Sequence, residues 1–379
     1  MTTKKTLLFV TGTRSDFATI KGIYKYIEMA KNIQPRLFVT GMHTRARHGS
    51  TYKEILRDGI SIDFMCRVRC QNLQDDFEKQ IYAANNALKK FKVDYLILCG
   101  DRPEMLAVGV SALMQRIPIF HIHGGDVSFG MTDDSIRHAI TKISAIHFTA
   151  SSLSAKRVLK MGEEKWRVFC TGSPDLDEIS KMDHNGKSTL EKYSLRAKDY
   201  CILLLHPEPL IKGRNKALAK HAVGALEKYG KKIILIYPNN DPYADLIVEA
   251  YSRLDKKKYL HFKTLPRQEY LHMLKHAEFL AGNSSSGIIE AQTLRVPVLN
   301  LGHRQDGRQR NLNVIDVPDV SKYTILSAMR VALSSDFQRK LTSRNVYGSG
   351  NSSRSIAELI KRIVGEYSTR DLLYKKFVL

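Results

Sequence analysis

The amino-acid sequence predicts an α/β protein built from two doubly wound domains that face a central cleft. Apolar runs of strand length alternate with amphipathic stretches of helix length, and this alternation begins a second time after a polar break. Most of the runs are apolar throughout, which is typical of parallel strands buried on both faces. The chain has 379 residues, too many for one ordinary core and suited to two domains.

The break between the two series begins at Gly172-Ser173-Pro174. We therefore expect an N-terminal domain over residues 1–172 and a C-terminal domain over residues 173–352. A final amphipathic stretch starting at Ser353 predicts a helix. Residues 353–379 are expected to pack back on the N-terminal domain.

The strand-like runs of both domains end in glycine or polar residues. The predicted strands are residues 6–12, 35–41, 61–66, 93–99, 117–122, 145–150 and 167–171 in the first domain and 200–205, 232–237, 259–265, 277–281 and 296–301 in the second. In open parallel sheets, ligands bind outside the carboxyl ends of the strands. The residues that come directly after these strands are therefore the candidates for function.

The charge of the chain is strongly basic, with a formal net charge of +22. Such a balance suits nucleic acid, an acidic membrane surface or an anionic small substrate. The basic residues are dispersed at helical spacing, and no nucleic-acid-binding signature accompanies them. This distribution favours the steering of a phosphate-bearing substrate, with no nucleic-acid partner and no membrane partner.

The five cysteines are odd in number and lie mostly within apolar runs, which indicates a reducing cytoplasm. Cys66 and Cys70 have no second Cys/His pair nearby at zinc spacing, which argues against a zinc site. The apolar run near the N-terminus meets Gly12 and Arg14 too soon for a signal peptide, so we interpret it as the first strand.

Two strand ends carry the acids that are the strongest catalytic candidates. Asp101 follows the run VDYLILC, and Asp126 follows IPIFHI and His123. Asp133 comes next, with Asp134, at the head of the helical pattern DDSIRHAITKIS. Because parallel strands end at one edge of a sheet, we expect Asp101 and Asp126 to share that edge. Three of these acids also have a structural interpretation. Asp101 could form only an ion pair, and Asp133 and Asp134 could cap their helix.

The stretch GNSSSGIIE, residues 282–290, is the strongest phosphate-binding signal. It follows a strand and opens a helix, so small residues let backbone N–H groups and hydroxyls reach a diphosphate. Glu290 could accept hydrogen bonds from a ribose diol. An ordinary loop with a serine cap is an equally good reading. The stretch is not a Walker A loop, because it lacks the Gly-Lys-Ser/Thr ending.

Other polar residues at strand ends are weaker candidates. Arg304, Arg308 and Arg310 could hold phosphates or could simply face water. His206 could bond a phosphate or serve a structural role. A metal site built on His121, His123, Asp133, Asp134 and His138 is disfavoured, because no helical histidine pair completes it, although His121 and His123 alternate along a strand.

Seven motifs in order resemble a known family: TGTRSDF, VTGMHTRARHGSTYKEI, CGDRPEM, HIHGGD…DDSIRHAITKIS, TGSPDLD, YPNND and GNSSSGIIEA…VPVLNLGHRQDGR. They look like the hydrolysing UDP-N-acetylglucosamine 2-epimerases of sialic-acid and related nonulosonic-acid synthesis. The likeness runs from about Lys5 to Val317. It implies a GT-B arrangement of Rossmann-like domains, a UDP-sugar substrate with UDP as product, no added cofactor, and a homodimer or homotetramer.

The resemblance also assigns residues. Asp101 and Asp133 match the catalytic acids of the family, with Asp126 or His123 assisting. Substrate-binding positions come from the same motifs and strand ends, and they are Arg14, His43, Arg102, His206, Asn239, Arg267, Ser284, Ser285, Ser286, Gly287, Glu290 and Arg304.

Two positions depart from the common pattern of the family. Many members have Glu where His123 stands, and many have Lys where Thr19 stands. The His123 form looks more like the bacterial branch that includes enzymes acting on UDP-N,N′-diacetylbacillosamine. Both UDP-N-acetylglucosamine and that sugar nucleotide are therefore candidate substrates.

The expected chemistry is anti elimination of UDP to a glycal, followed by hydration to the free manno-configured sugar. One acid must then be ionised and another protonated at working pH. A non-hydrolysing 2-epimerase and a GT-B glycosyltransferase are the alternative enzymes. A nucleic-acid-binding protein is the alternative outside enzymes, and it would show salt-dependent affinity for oligonucleotides without turnover of UDP-sugars.

Overall fold

The chain folds into two compact units, each with its own parallel sheet. The computed structural model describes residues 4–46, 49–69, 72–128, 132–208, 212–238, 243–256, 258–263 and 265–378. Unit 1 comprises Met1–Asp126, Thr132–Asp177 and Tyr347–Leu379, and unit 2 comprises Val127–Met131 and Glu178–Val346. The predicted α/β class with two doubly wound parallel-sheet domains is confirmed.

The sheet of unit 1 has seven parallel strands in the order β3-β2-β1-β4-β5-β6-β7. The strands are β1 Lys5–Thr11, β2 Ile33–Val39, β3 Phe64–Met65, β4 Tyr95–Cys99, β5 Ile119–Ile122, β6 Ile146–Thr149 and β7 Val168–Cys170. Every residue of β4, β5 and β6 is buried, as expected for strands covered on both faces. Because the strands are parallel, all their carboxyl ends lie along one edge of this sheet. The strand order changes direction between the neighbouring strands β1 and β4.

Helices cover both faces of this sheet. They are α1 Arg14–Glu28, α2 Tyr52–Arg57, α3 Leu73–Lys90, α4 Pro103–Met114, α5 Thr132–Ile143 and α6 Ser152–Lys160. Helix α1 begins with a capping box in which Thr13 and Asp16 bond each other's backbone N–H. Its apolar face is buried in the core of unit 1 through Ile20, Ile23 and Ile27.

The sheet of unit 2 has six parallel strands in the order β10-β9-β8-β11-β12-β13. The strands are β8 Tyr200–Leu204, β9 Lys232–Ile236, β10 Tyr259–Phe262, β11 Leu280–Gly282, β12 Val298–Leu301 and β13 Val314–Val317. The sequence reading missed β13. This edge strand buries only Val317 fully, so its sequence VIDV lacks the long apolar run that marked the other strands.

The helices of the second half are short or moderately long. They are α7 Asp177–Lys181, α8 Lys187–Lys192, α9 Lys212–Leu226, α10 Ala244–Ser252, α11 Arg267–His276, α12 Ser285–Ile289, α13 Lys322–Leu333 and α14 Ser335–Lys340. The core of unit 2 is built from helices α9 and α13 packed on the strands of its sheet. No helix in the described part of the chain is long and apolar enough to cross a membrane.

The change between the units lies at Asp177/Glu178, five residues after the expected position, and the return lies at Val346/Tyr347. Two contacts explain the shift. The Ser173 N–H donates to the Tyr347 carbonyl at 2.7 Å. The Asp177 carboxylate accepts from the backbone N–H of Ser352 at 2.9 Å and that of Ser353 at 2.7 Å. Residues 173–177, which follow the expected boundary, are thereby tied to unit 1.

The chain ends with α15 Ser352–Glu366 and α16 Thr369–Leu373 in unit 1. Helix α15 buries Ile356, Ile360 and Ile363 in the core of unit 1. At Gly22 of α1, an added β-carbon would overlap the side chain of Ser353. The absence of a side chain at this position therefore lets the two helices pack closely.

Charged side chains hold the residues that come after α15. The buried Arg167 guanidinium donates to the carbonyls of Asp371 at 3.0 Å and Leu372 at 2.9 Å. The carboxylate of Glu163, whose side chain is 0% exposed, accepts from Lys142, His147 and Lys375 at 2.7, 3.0 and 2.7 Å. We refer to Glu163, Lys142, His147 and Lys375 as the anchor cluster.

Burial of Glu163 opposes its ionisation, but the hydrogen bonds from His147, Lys142 and Lys375 outweigh it. Together they lower the pKa of Glu163 to about 2. The anchor cluster is therefore a charged structural contact that fixes the end of the chain on unit 1.

Candidate functional site

One guanidinium joins two of the predicted catalytic residues. Gly100 directly follows β4 and has a φ of +78°, so the chain turns sharply before Asp101. Arg137 of α5 donates through Nη2 to the Asp101 carboxylate and through Nη1 to the His123 carbonyl at 3.2 Å. The side chain of Arg137 is 3% exposed and that of Asp101 is 21% exposed. The structure thus brings Asp101 and His123 together at the carboxyl ends of β4 and β5.

His123 lies just beyond β5 and does not continue it. Its φ is +65°, in the left-handed region that non-glycine residues seldom occupy. Its N–H donates to the Phe148 carbonyl at 2.9 Å, and its Nε2 lies 3.2 Å from the Ser173 hydroxyl. The prediction that His121 and His123 alternate along one strand is wrong, because β5 ends at Ile122 and His123 adopts a left-handed backbone conformation.

His121 has a different role at the same edge. It is fully buried, with Nε2 at 2.8 Å from the Gly100 carbonyl and Nδ1 at 3.2 Å from the Thr141 hydroxyl. Burial lowers the pKa of His121 to about 3, so the ring is neutral at ordinary pH. A neutral ring that donates from Nε2 fixes the peptide immediately before Asp101.

Asp126 is almost completely buried and only half satisfied. One carboxylate oxygen accepts from the Ser154 hydroxyl at 2.5 Å. The other oxygen, Oδ2, makes no hydrogen bond to any residue in the described ranges. Buried carboxylate oxygens normally have donors. A buried carboxylate oxygen without a donor, such as Asp126 Oδ2, is a feature expected of a site that receives a ligand.

Asp133 lies in the first turn of α5. It precedes Arg137 by four residues, so both side chains lie on one face of the helix. Asp134 instead lies 3.7 Å from His138 in an ion-pair geometry. Within the described ranges, no three His, Cys, Asp or Glu side chains are grouped so that they could hold a metal.

Three predicted binding residues lie near β1, β2 and β4. Arg14 forms two hydrogen bonds to Glu54, one of them from Nε at 2.9 Å, and its side chain remains 39% exposed. Arg102 directly precedes α4, and its Nε lies 3.8 Å from the carboxylate of Glu104. His43 is fully buried and its two ring nitrogens contact the hydroxyls of Thr11 and Thr51. Burial lowers the pKa of His43 to about 4, and neither nitrogen is left for a ligand.

Asp16 is a further acid at the end of β1. It accepts from the hydroxyls of Thr11 and Thr13 and from the Thr13 N–H at 3.0 Å. Burial raises the pKa of Asp16 to about 7 despite these donors, and the nearby carboxylate of Glu104 raises it further. Asp16 thus fixes the turn that presents Arg14.

The second predicted constellation lies in unit 2, at the ends of β8 and β11. Gly282 has a φ of +145°, and a β-carbon there would overlap the Leu204 carbonyl oxygen, so only glycine fits. Asn283 then bonds the backbone of His206 twice, accepting from its N–H at 2.7 Å and donating to its carbonyl at 2.9 Å. The two strand ends are thereby locked side by side.

The serine-rich stretch forms a compact polar network. Ser284 caps α12, and Ser285 is the first residue of this helix. The Ser286 hydroxyl donates to Glu290 at 2.6 Å, and Arg267 pairs with the other oxygen of Glu290 at 2.8 Å. Gly287 packs against the side chain of Val298 in β12. The sequence reading missed Tyr270, whose hydroxyl bonds that of Ser286.

The loop after β12 holds the arginines. The carboxylate of Glu208 accepts from the backbone N–H groups of His303 and Arg304, and Arg304 Nη1 lies 3.4 Å from the Asn283 carbonyl. Arg308 donates to the Val127 carbonyl at 3.1 Å, and Arg310 pairs with Asp316 at 3.0 Å. Arg304 therefore lies beside the serine-rich stretch, whereas Arg310 has a structural partner. Asn239, another predicted binding residue, lies outside the described residues.

Sequence reasoning missed Arg137, which contacts Asp101 and His123, and Ser173, which contacts His123. The only signal for Arg137 was its spacing of four residues from Asp133 in DDSIRH. In the sequence, Ser173 belongs to the expected boundary Gly172-Ser173-Pro174 and to the motif TGSPDLD, and neither marks it as a partner of His123.

Comparison with known proteins gives consistent matches. Residues 25–361 match a family described as UDP-N-acetylglucosamine 2-epimerase. The chain is 34% identical to the UDP-N,N′-diacetylbacillosamine 2-epimerase (hydrolyzing) of Legionella pneumophila, over 94% of this chain and 96% of that protein. It is also 34% identical to the UDP-N-acetylglucosamine 2-epimerase of Neisseria meningitidis serogroup B, over 87% of this chain and 88% of that protein.

A solved structure agrees at the level of the fold. The crystal structure of UDP-GlcNAc 2-epimerase from Neisseria meningitidis bound to UDP-GlcNAc superposes with a TM-score of 0.82. The match covers 94% of this chain and 100% of that chain at 18% identity. It supports the GT-B-like class of two parallel-sheet α/β domains.

Proposed function

Because the chain belongs to the UDP-N-acetylglucosamine 2-epimerase family, we propose that it is a hydrolysing 2-epimerase of a UDP-2-acetamido sugar. The family resemblance drawn from the sequence motifs is confirmed by that membership. The proposed reaction releases UDP and a free manno-configured 2-acetamido sugar, which serves the synthesis of nonulosonic (sialic or legionaminic) acids.

The reaction has two steps. A base removes the proton at C2 while the bond from C1 to the UDP oxygen breaks, and the two lost groups are anti, so a glycal forms. Water then adds its oxygen to C1, and C2 receives a proton on the face opposite to the one from which the first proton was removed. The first step needs an ionised base near C2, and the second needs a proton donor on the other side.

The observation that carries the proposal is the contact of Arg137 with both Asp101 and His123. The Arg137 guanidinium orients the Asp101 carboxylate, and an oriented carboxylate is suited to act as a base. The remaining proposed proton-transfer groups are Asp126, with one oxygen that no described residue contacts by a hydrogen bond, Asp133, one helical turn from Arg137, and His123. Unequal burial of several acids is the arrangement that separates base from acid.

Unit 2 is proposed to bind the UDP group. The hydroxyls and N–H groups of Ser284, Ser285 and Ser286, together with Arg304, suit the departing diphosphate. Gly287 keeps the start of α12 close to the sheet, and Glu290 is proposed to accept from the ribose hydroxyls. The other residues proposed to contact substrate are Arg14, Arg102, His206, Asn239 and Arg267, whereas the ring nitrogens of His43 are already bonded to Thr11 and Thr51.

The test is turnover in deuterated water, followed by proton NMR, with UDP-N-acetylglucosamine and separately with UDP-N,N′-diacetylbacillosamine. We expect free UDP and a 2-epimeric free sugar that carries deuterium at C2. The two relatives that are each 34% identical to this chain are named for these two sugar nucleotides. The substrate that is turned over faster therefore identifies the sugar on which this chain acts. Deuterated UDP-sugar without free sugar would instead establish the non-hydrolysing reaction. UDP release only with an added sugar acceptor would indicate a glycosyltransferase.

We also propose that the enzyme acts in the cytoplasm as a homodimer or homotetramer. The described cysteines, Cys66, Cys99, Cys170 and Cys201, are all free thiols, which is compatible with a reducing compartment. Light scattering of the purified protein is the measurement that checks the number of subunits.

A further inference from the structure

Four side chains of unit 1 form one continuous hydrogen-bonded chain that ends at His123. The Thr19 hydroxyl of α1 donates to Asp175 Oδ1 at 2.6 Å. The Ser173 hydroxyl lies 2.9 Å from Asp175 Oδ2 and 3.2 Å from His123 Nε2.

The direction of the hydrogen bonds depends on the number of protons available. An ionised carboxylate only accepts, so Ser173 donates its one hydroxyl proton to Asp175. The Ser173 oxygen can then only accept from the imidazole, so Nε2 of His123 must carry a proton. In the neutral ring Nδ1 is consequently the acceptor. No residue in the described ranges forms a hydrogen bond with this nitrogen.

We propose that Ser173 and Asp175 are positioning residues that hold His123 in its Nε2–H tautomer, so that Nδ1 is a proton acceptor within the site. The assignment of a tautomer stands on these contacts alone. The use of Nδ1 in proton transfer at C2 rests on the proposed function.

The rest of the surroundings holds the ring rigidly. The His123 backbone is fixed on one side by the Phe148 carbonyl and on the other by Arg137, with a φ of +65°. The charged and titratable groups that face it are Asp175 from the 3-10 helix Pro174–Leu176, Arg137 from α5 and His121 from β5. Of these, only Asp175 connects to the ring itself through hydrogen bonds.

The first test is spectroscopic and uses the full chain. Protein labelled with ¹⁵N at its thirteen histidines gives one set of ring signals per residue, and His123→Gln identifies the set of His123. We expect the pattern of the Nε2–H tautomer in the wild type. Ser173→Ala and Asp175→Asn should convert this pattern to a mixture of tautomers. A wild-type Nδ1–H pattern, or an unchanged pattern in both variants, would overturn the proposal.

A matched control exists in the same unit. Ser368 and Asp371 form a similar pair, with the Ser368 hydroxyl donating to the Asp371 carboxylate at 2.6 Å at the exposed start of α16. Ser368→Ala and Asp371→Asn remove equivalent groups far from His123 along the chain. Neither should alter the His123 signals, and a change with these controls equal to that with Ser173→Ala would also overturn the proposal.

The second test separates positioning from folding. When a catalytic imidazole is in the wrong tautomer, the rate of proton transfer falls strongly. Residues that act through another side chain typically contribute about 10- to 100-fold to activity. We therefore expect kcat of Asp175→Asn to fall about 10- to 100-fold while KM changes less than about twofold. A rise in KM at unchanged kcat would contradict the proposal. If the wild type turns over no UDP-sugar, the proposed function fails, and the NMR result still decides the tautomer.

Discussion

Two clusters of buried charge share helix α5, and they differ in how completely their buried carboxylates are hydrogen-bonded. In the middle of α5, Arg137 holds Asp101, and Asp126 at the end of the neighbouring strand keeps an oxygen without a donor among the described residues. Near its end, Lys142 joins the anchor cluster, in which both oxygens of Glu163 accept hydrogen bonds. Similar residue types therefore give a candidate site with an open carboxylate oxygen and a structural contact in which both oxygens of a buried carboxylate accept hydrogen bonds.

Position in the sheet accounts for this difference. Asp101 and His123 follow the carboxyl ends of β4 and β5, where loops leave space for a ligand. His147 is the second residue of β6, and Lys375 belongs to the chain end that covers this region. The carboxyl edge thus retains a carboxylate oxygen without a donor, while the terminal segment supplies a donor to the carboxylate of Glu163 near the start of β6.

The largest expected effect is that of Asp101→Asn. The amide cannot act as a base, so we expect UDP release to fall about 10³-fold or more, within the range known for loss of a general base. Steady-state assays with the UDP-sugar that the wild type turns over measure this effect. Asp371→Asn, which alters an exposed helix cap, is the control and should keep wild-type activity. Retention of one tenth of the activity in Asp101→Asn would remove Asp101 from the chemistry.

The second effect distinguishes Arg137 from Lys142, two basic residues of α5. Arg137→Lys keeps the charge but loses the fork that reaches both Asp101 and the His123 carbonyl. We expect kcat to fall about 100-fold, because misplacement by about 1 Å costs that much. Lys142→Arg, five residues further along the chain, preserves the pair with Glu163 and should leave kcat unchanged. Equal losses in the two variants would mean that α5 acts only as a structural unit.

A smaller effect is expected on stability when Glu163→Gln breaks the anchor cluster. Three donors lose a charged acceptor, and Lys142 and Lys375 are partly exposed, which reduces the penalty. We expect the free energy of unfolding in urea to fall by about 2–3 kcal/mol, with kcat unaffected. Glu358→Gln, which breaks an exposed pair with Arg354, should change it by less than about 1 kcal/mol. Loss of turnover at full stability would show that the two clusters are not separate.

The smallest effect is the pH dependence of that difference. The pKa of Glu163 is lowered from 4.5 to about 2, so its contribution is present above pH 4.5 and is lost as pH falls toward 2. The gap in unfolding free energy between wild type and Glu163→Gln should therefore shrink steadily from pH 5 to pH 3. Urea unfolding of both proteins at each pH measures this gap and cancels the titration of other groups. A constant gap over this range would contradict the charged state of Glu163.

The sequence by itself determined most of the strands and the polar residues at their carboxyl ends. Buried parallel strands need uninterrupted apolar runs, so β4, β5 and β8 could be recognised from composition and length. Because such strands share an edge, the sequence also placed Asp101 and the serine-rich stretch at strand ends. The short edge strand β13 lacked that signal, since three of its four residues are incompletely buried.

Only the tertiary structure decided which side chains meet. Thr19 and Asp175 are hydrogen-bonded although 156 residues separate them, and the boundary motif around Ser173 belongs to the site because it packs beside His123. His43 follows a strand like the other candidates, yet two threonine hydroxyls occupy its ring nitrogens. Periodicity records which residues are buried, but the partner of a polar group depends on how distant segments pack, and that partner decides its chemistry.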